Sequence, residues 1–187
     1  GEGTIDIANA SRAIKSDELA ACKAAGVTDV QEVKIGYDGI VFAMDASNKD
    51  IKLEPKDLYL ALAAEIVKDG KLVANPNKKW SEVNKELPDV AIAAYIPGSK
   101  HGTREVFEEK VMAAGCEESG AVEEITALSD KDAAKKACVA VRTDGRSVDI
   151  DGDYTETLAR IQSDANGIGV FGLSFYENNT NTLQVAT

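Results

Sequence analysis

Apolar and polar positions change period several times along the chain, and those changes divide it into elements. Ile5 and Ile7 alternate with Thr4, Asp6 and Ala8, the period of two expected of a half-buried strand. Ser16 stands ahead of DELAACKAAG, which predicts a short helix stopping at Gly26. Val30 to Tyr37 reads as a strand, Asp38-Gly39 as a turn, and Ile40 to Met44 as a second strand. Leu58 to Val67 is apolar on most faces and predicts a largely buried helix closed by Gly70. Asn75 to Pro88 is polar, holds two prolines and Trp80, and reads as a loop or short turns. Asp89 to Tyr95 is small and branched apolar, the pattern of a strand covered on both faces. Helical patterns follow to about Gly115, over Asp130 to Val141, and over Tyr154 to about Asp164. Ile168 to Phe175 and Thr182 to Ala186 read as the last strands. Strands alternating with helices predict an α/β fold with a largely parallel sheet. The acidic stretch Glu117 to Glu124 reads as an irregular, solvated face, not a binding tail.

One junction stands out. Between the apolar run ending at Tyr95 and the helical pattern REVFEEKVMAAG lies PGSKHGT, with glycines, hydroxyls, a lysine and the single histidine of the chain. A buried parallel strand that turns into a helix sets the helix N-terminus at the carboxyl edge of the sheet, where α/β proteins bind ligands. The first amides of that helix lack internal acceptors, and the helix dipole makes the place positive. Gly102 permits close approach to the backbone. Thr103 adds a hydroxyl, Arg104 a planar fork for a tetrahedral oxyanion, and Ser99 and His101 further donors. These residue types together suit phosphate or sulfate at a helix start. The plainer reading is that Ser99 or Thr103 caps the helix and Arg104 is solvated. Ser11-Arg12, again a hydroxyl beside a guanidinium between a strand and a helix, forms a looser second corner; in isolation it is equally well an ordinary loop.

Composition narrows the function. The 187 residues suffice for one large domain or two small lobes, and no apolar run approaches the ~20 residues of a membrane span. The formal net charge of −11 argues against nucleic-acid or anionic-membrane partners, which need a basic surplus. One histidine and three cysteines without a CxxC pair argue against metal centres, cofactor chemistry and the usual catalytic triads. Cys116 and Cys138 could close a 22-residue step in an oxidising compartment; otherwise they are buried free thiols. Cys22 is left over. GEGTIDIANASR carries no secretory signal pattern and opens almost directly on a strand-like run, which predicts a fragment or processed form lacking upstream elements.

GTIDIANASRAIKSDELAAC, VKIGYDGIVFA, KDLYLALAA, GTREVFEEKVM and GIGVFGLSFYENN together resemble the phosphate-binding proteins of bacterial ABC transporters, in that family's order and over nearly the whole chain. The resemblance implies a periplasmic-binding-protein type II fold with two α/β lobes and crossing hinge strands, the first lobe incomplete here. Residues 1–40 then form part of lobe 1, 41–175 lobe 2 with hinge strands, and 176–187 a return segment. It implies a periplasmic receptor, not an enzyme, that binds inorganic phosphate in a cleft and hands it to a membrane ABC permease. The family's ligand segment carries over onto His101, Gly102, Thr103 and Arg104, and its first corner onto Ser11 and Arg12. Asp151 to Thr155 resembles a degraded form of a further family segment, from which no single residue is assigned. The periplasmic setting favours the Cys116–Cys138 disulfide.

Two departures bear on selectivity. His101 stands where the family usually has serine. Arg12 stands where many relatives place the aspartate that accepts the proton of hydrogen phosphate, so rejection of sulfate needs another carboxylate in the cleft. The alternatives are a binding-incompetent or self-associating chain, or an enzyme such as a phosphatase using the same anion loop.

Overall fold

In the computed structural model, residues 5–10, 12–37 and 39–187 are described, and the chain divides into a first unit ending at residue 38 and a second unit, Gly39–Thr187.

The first unit contains one helix, α1 (Ser16–Ala24), whose residues all stay at least partly exposed. Glu18 folds back onto the helix start and accepts from the Lys15 amide at 2.9 Å. It also accepts both arms of Arg12, at 2.8 and 2.9 Å. Those bonds, that with Arg12 foremost, hold the Glu18 carboxyl down at about 2. The two strands expected here are not formed: residues 5–10 and 27–37 pair with no other strand among the described residues. Alternation marks a face meant for burial, yet a strand exists only through a hydrogen-bonded neighbour. Ile7, Val33, Ile35 and Tyr37 are instead exposed.

The second unit is a five-stranded sheet between two helical layers. Its strands are β1 (Ile40–Asp45), β4 (Ala94–Pro97), β5 (Ser147–Ile150), β6 (Ile168–Gly172) and β7 (Leu183–Val185), in the order β5-β4-β6-β1-β7. β4 runs parallel to β5 and β6, whereas β1 is antiparallel to both β6 and β7. The sheet is therefore mixed, which corrects the largely parallel expectation. Alternation along each strand sorts side chains to opposite faces. Ala94, Ile96, Ile168 and Val170 join the larger core. Above them lie α2 (Pro55–Leu62), a helical run from Gly102 to Glu118, α6 (Ala121–Leu128) and α7 (Lys131–Val139). Ala43, Phe171 and Leu183 face the other way, against α8 (Tyr154–Ser163) and α9 (Leu173–Glu177).

Several boundaries differ from the sequence reading. The helix expected over Leu58 to Val67 ends at Leu62, and Glu65–Lys68 (β2) pairs with Lys71–Ala74 (β3) as a hairpin. The hairpin turn is Asp69-Gly70, both at positive φ (51° and 71°), the left-handed pair that a two-residue hairpin requires. Within the loop or short turns expected over Asn75 to Pro88, Trp80–Val83 (α3) is a single helical turn, and Trp80 is buried. The strand expected over Asp89 to Tyr95 lies later, as β4. The apolar run from Ile168 leaves the strand at Gly172 and enters α9. The acidic stretch is not irregular, since Glu123 and Glu124 lie in α6, where Ala121 and Ile125 are buried. Cys116 and Cys138 form a disulfide with a Cα–Cα distance of 5.4 Å, joining the end of the 102–118 run to α7. Cys22 is a free thiol. No described helix is long and apolar enough to cross a membrane.

Candidate functional site

β4 and β5 end together. Their parallel register sets Pro97 beside Ile150, and the Gly98 amide extends the pairing by donating to the Ile150 carbonyl at 2.9 Å. Each strand then turns into a helix on the same edge of the sheet. After β4 the turn closes through His101 N–H to the Gly98 carbonyl at 3.0 Å, and α4 (Gly102–Phe107) begins the run to Glu118, with a π-helical stretch at Glu108–Met112. After β5 the chain passes Asp151 and Gly152 and enters α8. The two turns touch. A Cβ at Gly98 would displace the Asp151 carboxylate and lie only 3.2 Å from the Ile150 carbonyl, so the two turns are in close contact here. The His101 Nε2 donates to the Asp151 carbonyl at 3.1 Å. A carbonyl can only accept, which fixes the proton on Nε2 and leaves Nδ1 as an acceptor in the neutral ring.

Between these helix starts lies a cleft of about 240 Å³ lined by Pro97, His101, Gly102, Thr103, Ile150, Gly152, Asp153, Tyr154, Thr157 and Val170. Three of the residues singled out in the sequence, His101, Gly102 and Thr103, therefore meet in one place. The amides of Gly102 and Thr103 open the helix and have no intrahelical acceptor. Two helix N-termini face the same space, each adding positive potential. Asp153 adds the opposite charge. It caps α8, accepting the Thr155 amide at 3.0 Å and the Thr155 hydroxyl on the same oxygen, Oδ1. Those bonds, the hydroxyl's foremost, hold its carboxyl below the usual range, so it is ionised at neutral pH. Among the described residues, no group of histidine, cysteine and carboxylate side chains is placed to hold a metal ion.

Arg104 behaves differently from its neighbours. It is absent from the cleft lining, and its guanidinium is committed elsewhere. Nε donates to Glu108 at 2.7 Å, and Nη1 donates both to the Pro97 carbonyl at 2.9 Å and to Asp149 at 2.8 Å. Arg12, in the first unit, is likewise engaged by Glu18. Ser11 lies outside the described residues. On the α8 side of the cleft the sequence marks the stretch Asp151 to Thr155 by resemblance but assigns no single residue from it. The Asp153-x-Thr155 pattern after an apolar run is a helix-capping signal, and it was the cue to that second wall.

Comparison with known proteins places the chain in a family. A family model described as a PBP superfamily domain matches residues 1–187. "Phosphate-binding protein PstS" of Staphylococcus haemolyticus is 29% identical over 182 residues, 97% of this chain and 45% of its own length. "Protein SphX" of Synechococcus elongatus is 28% identical over 182 residues, 97% of this chain and 44% of its own. The chain thus spans somewhat less than half the length of these relatives. Among solved structures, PstS from Borrelia burgdorferi superposes with a TM-score of 0.56 at 16% identity, covering 95% of this chain and 55% of that one. A possible phosphate binding protein from Planctomyces limnophilus gives 0.53 at 20% identity, covering 94% and 50%. At these identities the structural likeness concerns the fold.

Proposed function

Since the chain belongs to the PBP superfamily along its whole length, we propose that the cleft between the starts of α4 and α8 binds inorganic phosphate, as part of a periplasmic solute receptor serving an ABC permease. The observation that carries this reading is the convergence of His101, Gly102 and Thr103 with a second helix N-terminus on one cleft. The relatives bearing a phosphate-binding name supply the ligand class. Amides, a hydroxyl and helix dipoles would hold the anion, and nothing in this arrangement calls for catalysis. The resting-state carboxylate of Asp153 repels a fully ionised oxyanion. It accepts a hydrogen bond from one that still carries a proton. Asp153 therefore stands in for the acceptor that Arg12 does not provide, favouring hydrogen phosphate over sulfate.

Thr103→Ala tests the assignment. It removes one hydroxyl donor to a charged ligand, worth about 1.5–3 kcal/mol, so phosphate affinity falls roughly 10- to 100-fold with the unfolding midpoint nearly unchanged. Calorimetric titration reads the affinity. An unchanged dissociation constant removes Thr103 from the site.

A further inference from the structure

We propose that Arg104 is a positioning residue of the anion loop and not a ligand of the anion. This rests on the phosphate reading above and deepens it. Its side chain is 14% exposed and lies between two carboxylates, Glu108 one helical turn on and Asp149 on β5. With two carboxylates against one guanidinium, the cluster offers no surplus positive charge to a ligand. What it does offer is geometry. The fork joins three pieces of chain: the last residue of β4 through the Pro97 carbonyl, the neighbouring strand through Asp149, and the helix itself through Glu108. Pro97 begins the turn that ends at His101, and Arg104 follows Thr103 directly. The clamp therefore fixes both ends of the segment whose amides and hydroxyl face the cleft. A planar fork can make these contacts at once, whereas the ammonium of lysine is a point charge without that geometry.

The proposal and its rival differ in sign. If Arg104 bound the anion, Asp149→Asn would free the guanidinium and remove a repelling charge, and phosphate affinity would rise. If Arg104 positions the loop, Asp149→Asn loosens the clamp, and affinity falls despite the lost negative charge. The experiment is calorimetric titration of inorganic phosphate into the 187-residue chain and its Asp149→Asn, Glu108→Gln and Arg104→Lys variants, at fixed ionic strength. Fitted stoichiometry reports the folded fraction, so loss of fold is separated from loss of affinity. We expect a three- to tenfold weaker phosphate affinity in Asp149→Asn, a change of the same sign in Glu108→Gln, and no retention of affinity by Arg104→Lys. Amide exchange without ligand is the independent arm: the hydrogen-bonded amides of Gly98 and His101 exchange severalfold faster in Asp149→Asn, while the Trp80 and Ile92 amides, distant in sequence, are unchanged. Tighter phosphate binding by Asp149→Asn, full affinity in Arg104→Lys, or unaltered exchange at Gly98 and His101 each overturns the positioning role. Absence of phosphate binding by the parent chain with faster exchange in the variant overturns the phosphate reading, and with it the ligand-related part of the proposal, while leaving the clamp itself standing.

Discussion

Arg142→Ala is expected to destabilise the second unit by about 3–5 kcal/mol, the cost of leaving buried backbone carbonyls without their charged donor at about 1–3 kcal/mol each. Arg142 is 5% exposed. Its Nε and Nη2 hold Asp144 at 2.9 and 2.6 Å, Nη1 donates to the Ala61 and Asn77 carbonyls at 2.9 and 2.8 Å, and Nη2 reaches the Asn75 carbonyl at 3.2 Å. Asn75 meanwhile donates to the Leu60 and Ala63 carbonyls at 2.9 and 2.8 Å. The last turn of α2 ends inside the protein, and these side chains satisfy the carbonyls that a buried helix end leaves open. Removing the guanidinium leaves three backbone acceptors and a carboxylate without it. Urea unfolding followed by the fluorescence of Trp80, the single tryptophan, measures the loss. A cost under about 1 kcal/mol would place the arginine among ordinary surface ion pairs. The pH dependence has a definite sign. Arg142, the largest cause, holds the Asp144 carboxyl below its ordinary range. Its contribution is present above the unfolded carboxylate value of about 3.9 and is lost as pH falls through the lower folded value. Arg142→Ala should lack this part of the acid limb.

The second large effect is expected from the disulfide. Replacing Cys116 and Cys138 by alanine removes a covalent tie across 22 residues, joining the end of the 102–118 helical run to α7. The chain-entropy estimate for such a loop is about 3 kcal/mol. Both cysteines lie in the larger core, so the alanine pair also loses sulfur contacts there. The anion loop opens the helical run that the disulfide anchors at its far end, so the loss is expected in stability, with phosphate affinity of the folded protein little changed. Comparing unfolding of the intact, reduced and Cys→Ala proteins separates the cross-link from the packing. If reduction leaves the urea midpoint unmoved, the bond adds nothing to stability.

Much of this architecture was legible because it depends on local patterns. The helices near residues 131–139 and 154–163 carry capping aspartates and one-faced apolar spacing, and the short helix at 16–24 was legible from its helix-forming run stopped at Gly26. The junction at PGSKHGT stands out because glycines and hydroxyls break an apolar run just ahead of a helical pattern. The misses have physical causes. Leu58 to Val67 reads as one helix because it is apolar on most faces throughout, whereas the left-handed Asp69-Gly70 turn folds its end into a hairpin strand. The antiparallel placement of β1 and β7 comes from long-range pairing, which no local period records. Arg104 exposes the limit of reading residue types. Arginine beside a glycine-threonine helix start suggests an anion ligand, but Glu108 and Asp149 meet its fork first, and Asp149 lies 45 residues away. Asp153 is not singled out within Asp151 to Thr155 because its place beside the cleft comes from the parallel pairing of β4 with β5, which no local pattern records.

On the phosphate reading, the cleft between the starts of α4 and α8 takes up a protonated tetrahedral oxyanion. Calorimetric titration of the 187-residue chain at pH 7 with inorganic phosphate, and in parallel with sulfate, tests it most directly. The account predicts saturable one-to-one binding of phosphate, micromolar or tighter, and much weaker binding of sulfate, which has no proton to give Asp153. Absence of phosphate heat, or equal affinity for the two anions, would contradict it.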